Sequence, residues 1–161
     1  MRGAAAGNST TGIFALGNCS GCNGSTTRNK YTYSGDINAT ATASSAASYE
    51  GAATGNSTVG IFALGGTSGN IATATTTRNK YTYSGDTNAT ATASSAASFG
   101  GSATGNSTVG IFALGFNSGG CVSTTRNKYT YSGDTNGAAT SSTATSYKGS
   151  AASNGTCGVN V

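Results

Sequence analysis

The feature that most constrains this chain is a segment written three times. Residues 55–65 read GNSTVGIFALG; the segment occurs with one change at 7–17 (GNSTTGIFALG), unchanged at 105–115, and in degraded form at 154–161 (NGTCGVNV). A second block, TTRNKYTYSGD, recurs in step with it. The chain is therefore a unit of 48–50 residues repeated three times, with a further overlap at about 146–161, and is read as a single repeat domain over 1–161. Units of this size do not bury a hydrophobic face alone; they gain a core by stacking on one another.

The composition says what kind of stacking is open to them. Only 18 of 161 residues are Leu, Ile, Val or Phe, and the bulk is Gly, Ala, Ser, Thr and Asn. Such poverty in large apolar residues is typical of disordered chains. Disorder also goes with high net charge, whereas here 8 basic residues face 4 acidic ones. What remains is sheet hydrogen bonding and small-residue packing, with part of the core completed by neighbouring units or chains.

Within one unit the pattern reads as four short strands in an antiparallel meander. Gly7 and Asn8 open a tight turn for which positive backbone angles are expected. In residues 12–16, Ile13 and Ala15 fall on one face and Phe14 and Leu16 on the other, which predicts a strand buried on both sides. By the same reading Ile13, Phe14, Leu16, Ile61, Phe62, Leu64, Ile111, Phe112 and Leu114 form the core layers. Residues 26–33 alternate strictly, Arg28, Lys30 and Thr32 against Asn29, Tyr31 and Tyr33, giving a strand with a basic side and an aromatic side. A Ser-Gly-Asp turn and an outer strand of alternating small and polar residues close the unit. The total predicted is 14 strands.

Four strands in a unit of about 50 residues is the period of a propeller blade. The run AATGNSTVGIFALGG, a variable loop, then TRNKYTYSGDTNATATA resembles the kelch pattern: a small-residue strand, an apolar strand ending in Gly65-Gly66, a strand with alternate Tyr, a turn and an outer strand. It also resembles kelch-like repeats of some phage tail and bacterial surface proteins. The resemblance covers nearly the whole chain, although there is no Trp and the Gly-Gly doublet stands only in the second copy. It implies an all-β kelch-like β-propeller of tandem four-stranded antiparallel blades, partial or completed by oligomerisation. It also implies a setting outside the cell or on a virion. Three blades are fewer than the usual 4 to 8 of a closed ring, and neither end reads as a distinct cap, so a homo-oligomer is expected, with six blades from two chains the simplest closure.

Chemistry is sparse. There is no His, which removes the commonest general base and zinc ligand. Asp36, Asp86 and Asp134 recur in successive turns, one carboxylate per unit where a calcium loop needs several, and are read as closing their own turns through side-chain to backbone bonds. Cys19 and Cys22 form a CxxC, with Cys121 and Cys157 elsewhere; the second ligand pair of a zinc site is missing, which leaves free thiols or a local disulfide. No metal, cofactor or catalytic residue is assigned, and no enzyme is expected. Alternation sends Tyr away from Arg and Lys, which argues against nucleic acid; the expectation is a tyrosine ladder between blades with Arg and Lys on the outer side near the turn acids. No run approaches the roughly 18 apolar residues of a membrane helix, so no membrane partner is expected, and no signal peptide is seen.

Two function classes remain. One is a structural or assembly repeat of an appendage, tail or surface array. The other is a binding propeller whose variable loops recognise a glycan or protein, with Asn18, Asn23, Thr67, Asn70, Phe116 and Asn117 as the candidate contacts. The strands are nearly identical and the loops are not, which favours binding. The scarcity of charge and of exposed aromatics other than Phe116 favours structure.

Overall fold

The computed structural model describes residues 3–17, 23–153 and 158–160. The chain is all-β, with three four-stranded antiparallel sheets in tandem. The first holds β1 (Ala4–Gly7), β2 (Thr11–Ala15), β3 (Arg28–Thr32) and β4 (Ile37–Ala41), hydrogen-bonded in chain order. The second holds β5 (Ala52–Gly55), β6 (Val59–Ala63), β7 (Arg78–Thr82) and β8 (Thr87–Ala91). The third holds β9 (Ser102–Gly105), β10 (Val109–Ala113), β11 (Arg126–Thr130) and β12 (Thr135–Ala139). A hairpin of β13 (Ala151–Ser153) and β14 (Gly158–Asn160) follows. The meander expected from the sequence is therefore the observed one.

The Gly-Asn hairpin is built differently from the expectation. Neither Gly7 nor Asn8 has a positive φ. Instead the Asn8 side-chain oxygen accepts from the backbone N–H of Thr10 and of Thr11, both at 2.9 Å, and the Asn56 and Asn106 turns repeat this. The side chain replaces the backbone partner that a primed turn would use. The positive φ falls at the following turn, on Asp36, Asp86 and Asp134 (47–55°), a conformation Asp tolerates better than most residues.

Register assigns the two faces of every sheet. In the second sheet Phe62 pairs with Asn79 and Gly60 with Tyr81, while Ile61 pairs with Lys80 and Ala63 with Arg78. One face thus carries Phe62, Leu64, Asn79 and Tyr81; the other carries Ile61, Ala63, Arg78 and Lys80. Sheets stack face to face and in a fixed sense. Ile13, Ala15 and Ala41 of the first sheet pack on Phe62, Leu64, Tyr81 and Tyr83 of the second. Ile61, Ala63 and Ala91 of the second pack on Phe112, Leu114, Tyr129 and Tyr131 of the third. Contacts run β1 to β5, β5 to β9, and β9 to β13 and β14, so the first strand of each unit lies along one common side of the stack.

Burial on both faces holds only where both neighbours exist. Ile61, Phe62 and Leu64 are buried. Phe14 is 44% and Leu16 36% exposed, because no sheet covers that face of the first sheet, and Ile111 is only half buried on the far face of the third.

Candidate functional site: the joint between sheets and its open faces

The side chains that give the repeat its character converge on the joints between sheets. Arg28 was expected on an outer, basic side; it is fully buried. Strand alternation does place it opposite its own tyrosines, but stacking brings it against those of the next sheet. Its guanidinium carbon lies 4.5 Å from the centroid of Phe62 and 5.9 Å from that of Tyr81, a cation–π arrangement worth most when desolvated. Arg28 Nη1 donates to Asn88 Oδ1 at 2.7 Å and Nη2 to Asn79 Oδ1 at 3.3 Å. Arg78 repeats the set against Phe112, Tyr129, Asn136 and Asn127. Burial in this setting lowers both guanidinium pKa values to about 10, opposed by the nearby tyrosines.

The turn acids also work across the joint. Lys30 Nζ is 3.4 Å from Asp86 Oδ2, and Lys80 Nζ 3.3 Å from Asp134 Oδ2. Asp86 Oδ1 accepts from the backbone N–H of Thr42 in the preceding unit at 2.9 Å, while the Thr42 hydroxyl donates to the Asp86 carbonyl. The Tyr81 hydroxyl donates to the same carboxylate. Asp134 holds Thr92, Lys80 and Tyr129 in the same way. At Asp86 and Asp134 the expectation that each Asp caps its own turn's backbone is therefore replaced by a tie to the preceding sheet. Desolvation pushes the Asp86 and Asp134 carboxyls upward, but the Thr N–H, the tyrosine hydroxyl and the lysine outweigh it and hold them below the usual range.

Sequence reasoning missed the polar centre of the joint. Asn79 accepts from the Ser45 N–H at 3.0 Å and donates to the Ser45 hydroxyl at 2.7 Å, and Asn127 does the same with Ser95. The available signal was position: Asn79 and Asn127 each stand one residue after the Arg of the repeated TTRNKYTY block.

The stack leaves two open faces. On the first sheet Phe14, Leu16, Tyr33 and Asp36 are exposed, and among the described residues Asp36 receives only the Tyr31 hydroxyl. On the third sheet the hairpin β13–β14 covers the β9 side: Thr104 Oγ1 donates to the Ala152 carbonyl at 2.8 Å. The β11–β12 side is open, a groove of about 400 Å³ lined by Ile111, Arg126, Lys128 and Ala139. Among the described residues, Lys128 meets no carboxylate and Arg126 Nε has no hydrogen-bond partner.

A second cluster spans three units beside the first strands. Glu50, buried and at φ 52°, accepts from the Tyr147 hydroxyl at 2.8 Å and pairs with Lys148 Nζ at 3.5 Å. The equivalent residue of the middle unit is Gly100, and its missing side chain lets these two meet: a Cβ there would stand 2.2 Å from the Tyr147 ring.

Of the loop positions, Asn23, Thr67 and Asn70 are exposed, and the Gly24 N–H donates to the Thr67 carbonyl at 2.9 Å, so the first two variable loops touch. Asn70 caps the short 3-10 turn Ile71–Thr73 through the Ala72 N–H, and Asn117 braces its own loop by accepting from Gly119 and Cys121. Phe116, expected as the exposed aromatic, is half buried with its ring edge-on to Tyr147 at 4.3 Å. Cys121 is exposed. Asn18, Cys19, Cys22 and Cys157 lie outside the described residues. No known protein family matches the chain, and no curated protein sequence is significantly similar to it.

Proposed function

We propose that this chain is a non-enzymatic assembly module, a kelch-like array of blades belonging to a phage tail or cell-surface appendage, whose partner is itself. One observation carries the reading. The distinctive polar and aromatic side chains of the repeat, Arg, Lys, Asn, Tyr and Asp, are spent on joining one sheet to the next, and the same joint is made twice along the chain. A chain built this way propagates a contact, and among the described residues no reactive groups converge. Two of the lysines, Lys30 and Lys80, meet their carboxylates inside these joints, which accords with it.

The rival reading is recognition of a glycan or protein through the variable loops. The exposure of Asn23, Thr67 and Asn70, with the first two loops in contact, favours it. Light scattering across a concentration series, run beside a glycan array, separates the two. Assembly predicts a mass above the 15.5 kDa of one chain and a blank array. A monomer at every concentration that binds a defined glycan would overturn the assembly reading.

A further inference from the structure

The two open faces are the two halves of the joint the chain already makes twice. Each internal joint pairs an arginine-lysine face with a phenylalanine-tyrosine face. The first takes Ile13, Arg28 and Lys30 to Phe62, Tyr81 and Asp86, and the second takes Ile61, Arg78 and Lys80 to Phe112, Tyr129 and Asp134. The third sheet presents the next arginine-lysine face, with Ile111, Arg126 and Lys128 around the open groove. The first sheet presents the phenylalanine-tyrosine face, with Phe14 and Leu16 exposed and, among the described residues, no sheet over it and no cation on Asp36.

We infer that the third sheet of one copy receives the first sheet of a second copy, head to tail, in the register of the internal joints. This rests on the assembly reading above and gives it an interface. Arg126 sits over the Phe14 ring and donates to Asn38 and Asn29, Lys128 pairs with Asp36, and Thr140 supplies the backbone N–H that Thr42 gives Asp86. The contact is heterologous: two different faces of one chain meet, so it continues from copy to copy until a ring closes. Charge supports the match, a lysine against an aspartate that each lack an opposite charge among the described residues, and so does apolar surface, because docking covers the most exposed phenylalanine of the chain.

The hairpin β13–β14 stands where β1 and β2 of the incoming copy would lie, so the two compete. Its backbone register puts Asn160 at the place held by Phe62 and Phe112 in the earlier sheets, the place to which a second copy would bring Phe14. The tether favours the hairpin in dilute solution through its high effective concentration, and rising protein concentration favours the copy. The hairpin thus sets a threshold for assembly.

The test is sedimentation velocity on the 161-residue chain over a range of concentrations, for the parent, Lys128→Glu, Asp36→Lys and the variant carrying both. Both side chains are exposed, and circular dichroism verifies that each variant keeps its sheets. The parent is expected to associate, each single reversal to weaken association by about tenfold or more, and the double variant to regain it through the swapped pair. An equimolar mixture of the two single variants regains it as well, since each supplies the intact face the other lacks. Association that ignores both reversals overturns the proposed pairing and leaves the assembly reading standing. Loss in the single variants without rescue in the double variant or the mixture also overturns the pairing. A parent that stays monomeric throughout overturns pairing and assembly together.

Discussion

The guanidinium of Arg28 lies 4.5 Å above the ring of Phe62, a residue of the following repeat, and both side chains are essentially buried. The contact ties the apolar and the charged halves of the joint together, because the ring that fills the core is also the surface on which the cation rests.

Phe62→Ala and Phe14→Ala are the same substitution at the same repeat position with different surroundings. Phe62 is 1% exposed and Phe14 44%. The first is expected to cost about 3–5 kcal/mol, as core phenylalanine truncations do, and the second well under half of that. Urea unfolding of the two variants measures both; equal losses would contradict the directional stacking.

Tyr83 offers a chance to stabilise the chain. Its hydroxyl is buried without a hydrogen-bond partner among the described residues, whereas the equivalent Tyr131 lies 3.3 Å from the hydroxyl of Thr54. The residue in the place of Thr54 is Ala6, which packs in the same cluster as Tyr83. Ala6→Thr is expected to add about 1 kcal/mol by giving the orphan group a partner. A melting temperature that stays the same or falls would show that the Thr54 arrangement does not transfer.

In alkali the chain should lose stability. Burial, first of all, raises the hydroxyl pKa of Tyr81, Tyr83, Tyr129 and Tyr131. The unfolded chain then releases protons that the folded chain keeps, so stability is whole below about pH 10 and declines above it. Arg28 and Arg78, lowered to about 10, act the other way, since the folded state sheds their protons first. Four tyrosines against two arginines leave a net decline. Unfolding free energies between pH ~8 and ~11 test this, and Tyr83→Phe should make the decline shallower without breaking a bond.

The acid limb has a different source. Asp86 and Asp134 are held below the usual carboxylate range in the folded chain, so their contribution is present above about pH 4 and disappears as pH falls through the folded values. The doubly substituted Asp86→Asn, Asp134→Asn chain should be less stable than the parent at neutral pH and nearly level with it in acid. Parallel curves would remove the carboxylates from the account.

Gly100 carries two constraints, a φ of 65° and the Tyr147 ring in the place of a Cβ. Gly100→Ala should cost about 2 kcal/mol or more through strain and collision together. It should also separate Tyr147 from Glu50, which near-ultraviolet circular dichroism of the tyrosines reports. A change in stability with an unaltered tyrosine signal would assign the cost to the backbone alone.

Strand order, the two faces of the strands and the identity of the central core residues were legible in the sequence, because alternation and exact repetition both speak about single strands. Of what joins the sheets, the tyrosines packed between them were expected, and the arginine, lysine, asparagine and aspartate contacts were not. Within one strand Arg28 and Tyr31 point to opposite faces, which reads as a separation of charge from aromatics; only stacking reverses it by setting the arginine face of one unit on the tyrosine face of the next. Asp86 shows the same blindness. Its place in a turn suggested a local role, and its partners Thr42 and Lys30 lie 44 and 56 residues earlier. Phe14 was misread for the reverse reason: its sequence surroundings match those of Phe62, and its exposure follows from which sheet happens to lie beside it.

The pairing of Lys30 and of Lys80 with an aspartate one unit later bears on how such a gene can change. Every joint draws its two halves from different repeats, and the halves are alike in each repeat. Duplication or loss of a whole 48–50-residue segment by unequal recombination therefore leaves every surviving joint with its full set of partners. A point change at Arg78 or Asp134 enjoys no such freedom, since it spoils a contact whose other half is encoded some fifty codons away. Length in this architecture is free to drift, and the joint residues are held to one spelling.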